Sequence, residues 1–354
     1  MPRTCATMTL HHALANTSEM YQINRRQIEA FTTTLRRARA ARRAQVVRVP
    51  VVVHVLHHGN AENISDAQIR SQIDALNHDY RRLNADVTKV PTPFGPLAAD
   101  SMIEFGLAVK DPQGYATSGI TRTYTPLTVF RPDTSDPERQ ILELDAKIKT
   151  VAGGGATGWP RDRYLNIWVC NMDQNPLGYA QFPGGPSETD GVVIDVKCFG
   201  VGGSAEPPFD LGRTATHEVG HWLNLLHIWG DDDQGCSGSD SVEDTPNQAG
   251  ANVGVPTFPR ISCGNAPHGD MFMNFMDYTD DSGMQMFTVG QVERMNATLH
   301  GPRSSVVASD ALTPSHRIAQ VHLPEFSAFL AGPPVSAREE GELAKRVFDG
   351  VHWV

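Results

Sequence analysis

From Val46 to Leu56 the chain is rich in valine, interrupted by Arg48, Pro50 and His54, the pattern of a buried strand. Ser65 then opens a segment whose apolar residues fall at Ile69, Ile73, Leu76 and Tyr80, a three-to-four spacing that places them on one helix face. Gln68 stands three residues past Ser65, where a capping-box partner belongs. Met102–Val109 and, more weakly, Thr121–Thr125 predict strands. Pro132 to Val151 predicts a helix around Ile141, Leu142, Leu144 and Ile148, ended by Gly153-Gly154-Gly155. Tyr164–Cys170 and Val192–Val196 read as two further strands. Between them Gly178–Phe182, bounded by Pro176 and Pro183, reads as a plain loop or a short edge strand. An unpaired edge there is a place where an extended peptide can add itself.

Strands and helices thus interleave in the first half, and an irregular stretch rich in Gly, Asp and Pro follows from Gly230 to Asp270. Structureless stretches of that length are usually functional or pinned. Cys236 and Cys263 could close this one as a disulfide, with roughly 3 to 4 kcal/mol of stabilisation on the chain-entropy model. Asp231, Asp232, Asp233, Asp240, Glu243 and Asp244 make it either a solvated loop or a set of hard oxygen ligands suited to calcium. Thr288 with Gln291 caps a last helix through Leu299. Both ends differ from the middle. Residues 1–45 carry an arginine cluster (Arg25, Arg26, Arg36, Arg37, Arg39, Arg42, Arg43) and a thin apolar face over Tyr21–Ala41. That stretch reads as a basic helix or a disordered arm, or functionally as a pro-segment cut near Arg36 to Arg48. Residues 302–354 are punctuated by prolines, with a short helix expected over Glu339–Phe348, and no function is assigned to them.

At 354 residues the chain can build a sizeable core, as one large or two modest domains. A net charge of −10 argues against nucleic acid and against an anionic membrane surface, and no apolar run is long enough to span a bilayer. Met1 to Met20 holds no apolar core of signal-peptide length. An export signal then lies outside this sequence, export is unconventional, or the protein stays inside. Five cysteines leave at least one unpaired.

The chemistry concentrates in His217-Glu218-Val219-Gly220-His221, followed by His227. Histidines four apart on a helix lie one turn apart on one face and can grip one zinc ion, with Glu218 beside them as general base for a water. His227 lies six residues past His221, too far along a continuing helix to join them. The helix must therefore stop, and Asn224 is the stop, since asparagine tolerates the left-handed conformation. Three histidines then leave a fourth position open, as in catalytic zinc sites. His54, His57 and His58 read as surface or core histidines and not as ligands.

The stretch resembles the long zinc signature of the metzincin peptidases, with Asn224 where that signature has glycine. Met271–Tyr278, with Met286-Phe287-Thr288 and Gln291, makes the resemblance specific to the pappalysin (cytophagalysin-type) branch, over roughly Val46 to Gly301. The resemblance implies an α+β catalytic domain: a twisted mixed sheet, an active-site helix, a backing helix and an irregular C-terminal subdomain. It implies that Met276 forms the Met-turn beneath the zinc and that Tyr278 helps hold the oxyanion. It also implies a Cys236–Cys263 disulfide and calcium held by Asp240, Glu243 and Thr245. The run Arg3-Thr4-Cys5-Ala6-Thr7 resembles the cysteine latch of metzincin precursors, with the Cys5 thiolate on the metal. Relatives that cut before Arg or Lys carry an acid at the position aligned with Ser282, which puts a basic preference in doubt, although Asp280 and Asp281 lie close by. The expected function is that of a secreted-type zinc endopeptidase acting on proteins or peptides, of unknown oligomeric state. A silent zinc-binding module and a zinc amidase on non-peptide substrates are the alternatives.

Overall fold

The computed structural model describes residues 2–37, 45–232, 235–315 and 317. Asp233, the arginines from Arg39 to Arg43 and the helix expected over Glu339–Phe348 lie outside the described residues. The valine-rich run is β1 (Val47–His57), and every residue from Val49 to Leu56 in it is buried. Its residues alternate. Val47, Val49, Val51, Val53 and Val55 face one core, whereas Leu56 faces a second with Trp168 and Cys170. A parallel strand covered on both sides needs that continuous apolarity.

One edge of β1 pairs in succession with β2 (Ile103–Leu107) and β3 (Ile120–Tyr124), and the other with β4 (Leu165–Cys170). Beyond β4 the sheet continues through β6 (Val192–Asp195) to β5 (Gly178–Ala180), so that its order is β2-β1-β4-β6-β5. All these pairings are parallel except that of β5 with β6. The sheet is therefore mixed, and its antiparallel strand forms the outer edge. The predicted strands all form, with ends shifted by a residue or two.

The helix expected after Ser65 is α3 (Asp66–Tyr80), and the Ser65 hydroxyl accepts from the Gln68 amide. α3 and the zinc-signature helix α5 (Arg213–Trp222) pack on one face of the sheet, with α4 (Pro137–Lys149) on the other. The last predicted helix is α6 (Val289–His300), and its Thr288/Gln291 capping box is complete. Cys236 and Cys263 are disulfide-bonded. The chain past Gly301 goes on packing against this body: Arg303 is buried, Val306 lies in the main core, and Ala311 is buried against Val52, Ala108 and Tyr164.

The N-terminal segment forms two helices, α1 (Thr7–Thr17) and α2 (Glu19–Arg37). The sequence pattern left the second open between a helix and a disordered arm, and missed the first. Leu10, Ala13 and Tyr21 are buried, but much of the docking is polar, which accounts for the thin apolar face. Asn24 donates to Gly184 O, Arg25 to Pro183 O and Arg36 to Ser241 O.

Candidate metal centre and cleft

Helix α5 ends as the three-histidine pattern requires. Asn224 takes φ 75°, its N–H donates to His221 O (2.8 Å), and the Leu225 N–H donates to Gly220 O (2.9 Å). These are the two bonds of a Schellman motif with asparagine at the left-handed position. The turn also orients a ligand candidate, because Leu225 O lies 2.7 Å from His221 Nδ1. The chain then doubles back and brings His227 to the other two imidazoles.

Each histidine has an oxygen on its outer nitrogen. His217 Nδ1 is 2.8 Å from Phe275 O, His221 Nδ1 is bonded to the turn, and His227 Nδ1 is 2.7 Å from Asp231 Oδ1. The protons therefore sit on Nδ1 and the lone pairs on Nε2. The Nε2 atoms converge, with His221 Nε2 3.0 Å from that of His217 and 3.1 Å from that of His227. Burial pushes His217 and His221 well below the ordinary histidine range, so they stay neutral. Three inward lone pairs this close repel one another unless a cation sits among them, so the donor set fits a metal ion. With Cys5 the three histidines form the one group of three or more potential His, Cys, Asp or Glu metal ligands among the described residues, all its ligand atoms lying within 4.8 Å of one another. His54 is elsewhere, buried between Thr121 and Asn166.

The floor of this centre is the turn at Met276. Gly220 faces it so closely that an added Cβ would come within 2.6 Å of Met276 Sδ. The carbonyl of Phe275, one residue earlier, is the one that fixes His217. Tyr278 stands beside the imidazoles, its ring 4.9 Å from that of His227, and its hydroxyl donates to Cys5 O at 3.3 Å. Trp229 stacks flat on His227 at 4.4 Å. Neither Trp229 nor Asp231 was singled out as supporting His227, although Asp231 follows it by one helical turn of sequence.

Glu218 is buried, and burial pushes its carboxyl up to about 7. Its Oε2 accepts from the Thr7 hydroxyl at 2.9 Å and from the Cys5 thiol at 3.4 Å. Burial and the Glu218 charge push the Cys5 thiol well above its usual range; a cation held by the imidazoles would act in the opposite direction. The segment around Cys5 lies on the edge strand. Leu177 N–H donates to Thr4 O (3.0 Å) and Ala6 N–H to Gly178 O (3.1 Å), a parallel pairing. Beyond it the Ala180 N–H donates to the Thr7 hydroxyl.

Arg3 fills a pocket further along the cleft. Its Nε donates to Thr279 O (3.1 Å), Nη1 to Thr214 Oγ1 (2.8 Å) and Nη2 to Asp281 Oδ1 (2.5 Å), and its guanidinium lies 4.9 Å over the Phe209 ring. The other oxygen of Asp281 accepts from the backbone N–H groups of Leu211 and Arg213, which open α5. Next to Ser282, which offers no acid, Asp281 thus supplies this pocket with a buried carboxylate. Of the residues considered for calcium, Asp240 is buried and accepts from Val242 N–H and the Thr245 hydroxyl, whereas Glu243 is exposed.

Residues 153–300 match the model of peptidase family M43, described as pregnancy-associated plasma protein-A. An extracellular metalloprotease of Verticillium alfalfae is 39% identical over 264 residues, a span that covers 68% of this chain and 86% of the relative. The chain belongs to the pappalysin family of metallopeptidases. Extracellular metalloprotease 1 of Coccidioides posadasii is 41% identical over 261 residues, covering 71% of this pappalysin and 76% of that protein. Mature mirolysin of Tannerella forsythia, solved with a cleaved peptide, is 51% identical with a TM-score of 0.71; the match covers 77% of this pappalysin and all (100%) of that chain. A promirolysin point mutant is 44% identical with a TM-score of 0.77, covering 89% and 100%. The pappalysin is thus a peptide-bond hydrolase, and its family implies zinc as the metal. None of its helices is long and apolar enough, among the described residues, to cross a membrane.

Proposed function

We propose that this is a secreted zinc endopeptidase, held latent by its own N-terminal segment, that cuts proteins and peptides before arginine. The observation that carries the reading is the convergence of three Nε2 lone pairs beside a buried glutamate, with a cysteine thiol aimed at the same point. On this reading His217, His221 and His227 hold zinc. Bound there, zinc lowers the pKa of a water and polarises the scissile carbonyl. Glu218 accepts the proton that water loses and passes it to the leaving amine, and its raised affinity for a proton suits both tasks. Tyr278, with its hydroxyl already in the cleft, donates to the oxyanion of the tetrahedral state. The disulfide and the names of the extracellular relatives support export to an oxidising compartment. In Glu218→Ala, zinc should remain at one ion per chain while kcat/KM falls about 10²- to 10⁴-fold; near-normal proteolysis would remove Glu218 from the role of base.

Residues 1–45 act on this reading as a pro-segment with Cys5 as a latch. The greater coverage of this chain by promirolysin than by the mature form supports it, as does the parallel pairing on β5. A substrate strand adds to the same edge in the opposite direction, so the latch occupies the cleft without presenting a cleavable bond. Cys5→Ala should give an uncut precursor with measurable peptidase activity. If the uncut variant is as silent as wild type, Cys5 is not the latch.

Because the segment runs backwards, Arg3 lies on the side that receives the residue after the scissile bond. Three acceptors on three different guanidinium nitrogens suit arginine better than lysine. Asp281→Asn should reduce kcat/KM for arginine-containing peptides roughly 10²-fold, and an unchanged preference in a cleavage-site profile would dissociate Asp281 from specificity.

Calcium belongs on this reading to the Asp240–Thr245 turn. Its support is the buried Asp240 carboxylate, which burial pushes up to about 7. Stripping calcium with EGTA should lower the melting temperature by roughly 5 °C; an unmoved melting curve would leave this turn without an ion.

A further inference from the structure

The N-terminal segment is anchored at a second place, and the chemistry there is opposite in sign to that at Arg3. Glu29 on α2 sets one carboxylate oxygen, Oε1, against three donors: Arg294 Nη2 at 2.7 Å, Asn224 Nδ2 at 3.1 Å and its own helix neighbour Arg25 Nη2 at 2.9 Å. Arg294 and Asn224 belong to the body of the enzyme, and both are buried, at 1% and 0% exposure. Arg294 already donates through Nε to Asn224 O at 2.6 Å, which aims its remaining nitrogens at Glu29. Glu29 is the one carboxylate in ion-pair contact with Arg294 among the described residues.

The order of contacts places this site relative to the imidazoles. Arg3 occupies the Asp281 pocket, Cys5 the metal centre, and Thr7 the Ala180 end of β5. Phe182 comes next, its ring 5.5 Å from that of His221 and 5.5 Å from that of His11 on α1. Arg25 lies 4.9 Å over the same Phe182 ring, and Glu29 is one helical turn beyond Arg25. The path from the imidazoles through Phe182 therefore leads to Arg294 on the side opposite the Asp281 pocket. A substrate running antiparallel to β5 lays the residues before its scissile bond along that path.

We propose that Arg294 and Asn224 form a subsite of the mature enzyme that binds an acidic side chain of the substrate, several residues before the cleaved bond, and that Glu29 fills it in the latent form. The proposal rests on the reading of the N-terminal segment as a removable pro-segment. When that segment leaves, a guanidinium held in place through Nε and a side-chain amide N–H lose their carboxylate together, and no other carboxylate among the described residues is in ion-pair contact with Arg294. Donors already fixed in direction favour an acceptor that restores the lost charge-assisted bonds. The residue that distinguishes this chain from the zinc signature takes part directly, since a glycine at 224 has no amide to offer. Two pockets of opposite charge on either side of the metal would thus select a substrate with an acid upstream and an arginine downstream of the bond.

The test uses the processed enzyme and a set of quenched fluorescent peptides with arginine after the scissile bond. Glutamate or glutamine is placed in turn at each position from the second to the sixth before it. One position should show kcat/KM about tenfold higher for glutamate than for glutamine, and the ratio should shrink as salt is raised. It should fall towards one in Asn224→Gly, which keeps the left-handed turn, and in Arg294→Gln. The glutamine peptide serves as the reference within each variant. Indifference to glutamate at every position, or an undiminished ratio in Asn224→Gly, overturns the subsite even if Arg294→Gln fails to fold. Failure to cut any peptide would instead sink the peptidase reading itself, so the two failures are distinguishable.

Discussion

Two imidazoles one turn apart on a helix leave the third with nowhere to stand unless the helix stops within a few residues and the chain reverses. The Schellman turn at Asn224 meets that constraint, and much of the surrounding structure secures it. Its bonds end α5, its next carbonyl orients His221, and its own carbonyl is held by Arg294 from α6. The other two imidazoles are oriented from elsewhere, His217 by the backbone at Phe275 and His227 by Asp231. Oriented this way, all three present lone pairs to one point. An outer hydrogen bond of this kind typically carries 10- to 100-fold in metal affinity, so the supporting oxygens matter nearly as much as the nitrogens. The absence of a side chain at Gly220 lets Met276 close the floor.

If residues 1–45 are the pro-segment proposed above, the same cleft explains how the chain is kept silent. Its N-terminal segment touches the edge of β5, Glu218, Asp281 and Arg294, the places proposed above to receive a substrate. It runs along the edge in the direction that presents no bond for attack. Opposite charges at its two anchors fix its register, since Arg3 cannot exchange places with Glu29. Burying an arginine such as Arg3 without a partner would cost several kcal/mol; with three hydrogen bonds and an aromatic face it becomes a directional anchor.

The parts of this arrangement that were legible in the sequence are the ones encoded by local spacing. The valine run, the Ser65 cap, the Thr288 capping box and the histidine signature each depend on residues within a dozen positions of one another, and the structure contains all of them. The contacts that were not legible join residues far apart in the chain. Arg3 meets Asp281 across 278 positions and Glu29 meets Arg294 across 265. Nothing in the periodicity of either stretch announces the other. Helix α1 escaped notice because its start has no side-chain cap and its apolar contacts are few. Asp281 could be named from the sequence only as a neighbour of Ser282, because what places it is a pair of backbone amides, those of Leu211 and Arg213, 70 and 68 positions away.

Asparagine at 224 can be weighed against the glycine of the zinc signature. A non-glycine residue in the left-handed region costs roughly 1 kcal/mol relative to glycine. In the latent form its side chain recovers a hydrogen bond to a charged carboxylate, a class of bond that contributes about 1.5 to 3 kcal/mol. The recovery exists only while Glu29 is present, whereas the conformational cost persists once the segment has gone. On the proposed removal of residues 1–45, the residue that shapes the turn would therefore stabilise the latent form more than the processed one. The turn that positions His227 and the seating of Glu29 are coupled through one side chain, and in the subsite proposed above a substrate carboxylate would inherit the interaction that Glu29 gives up.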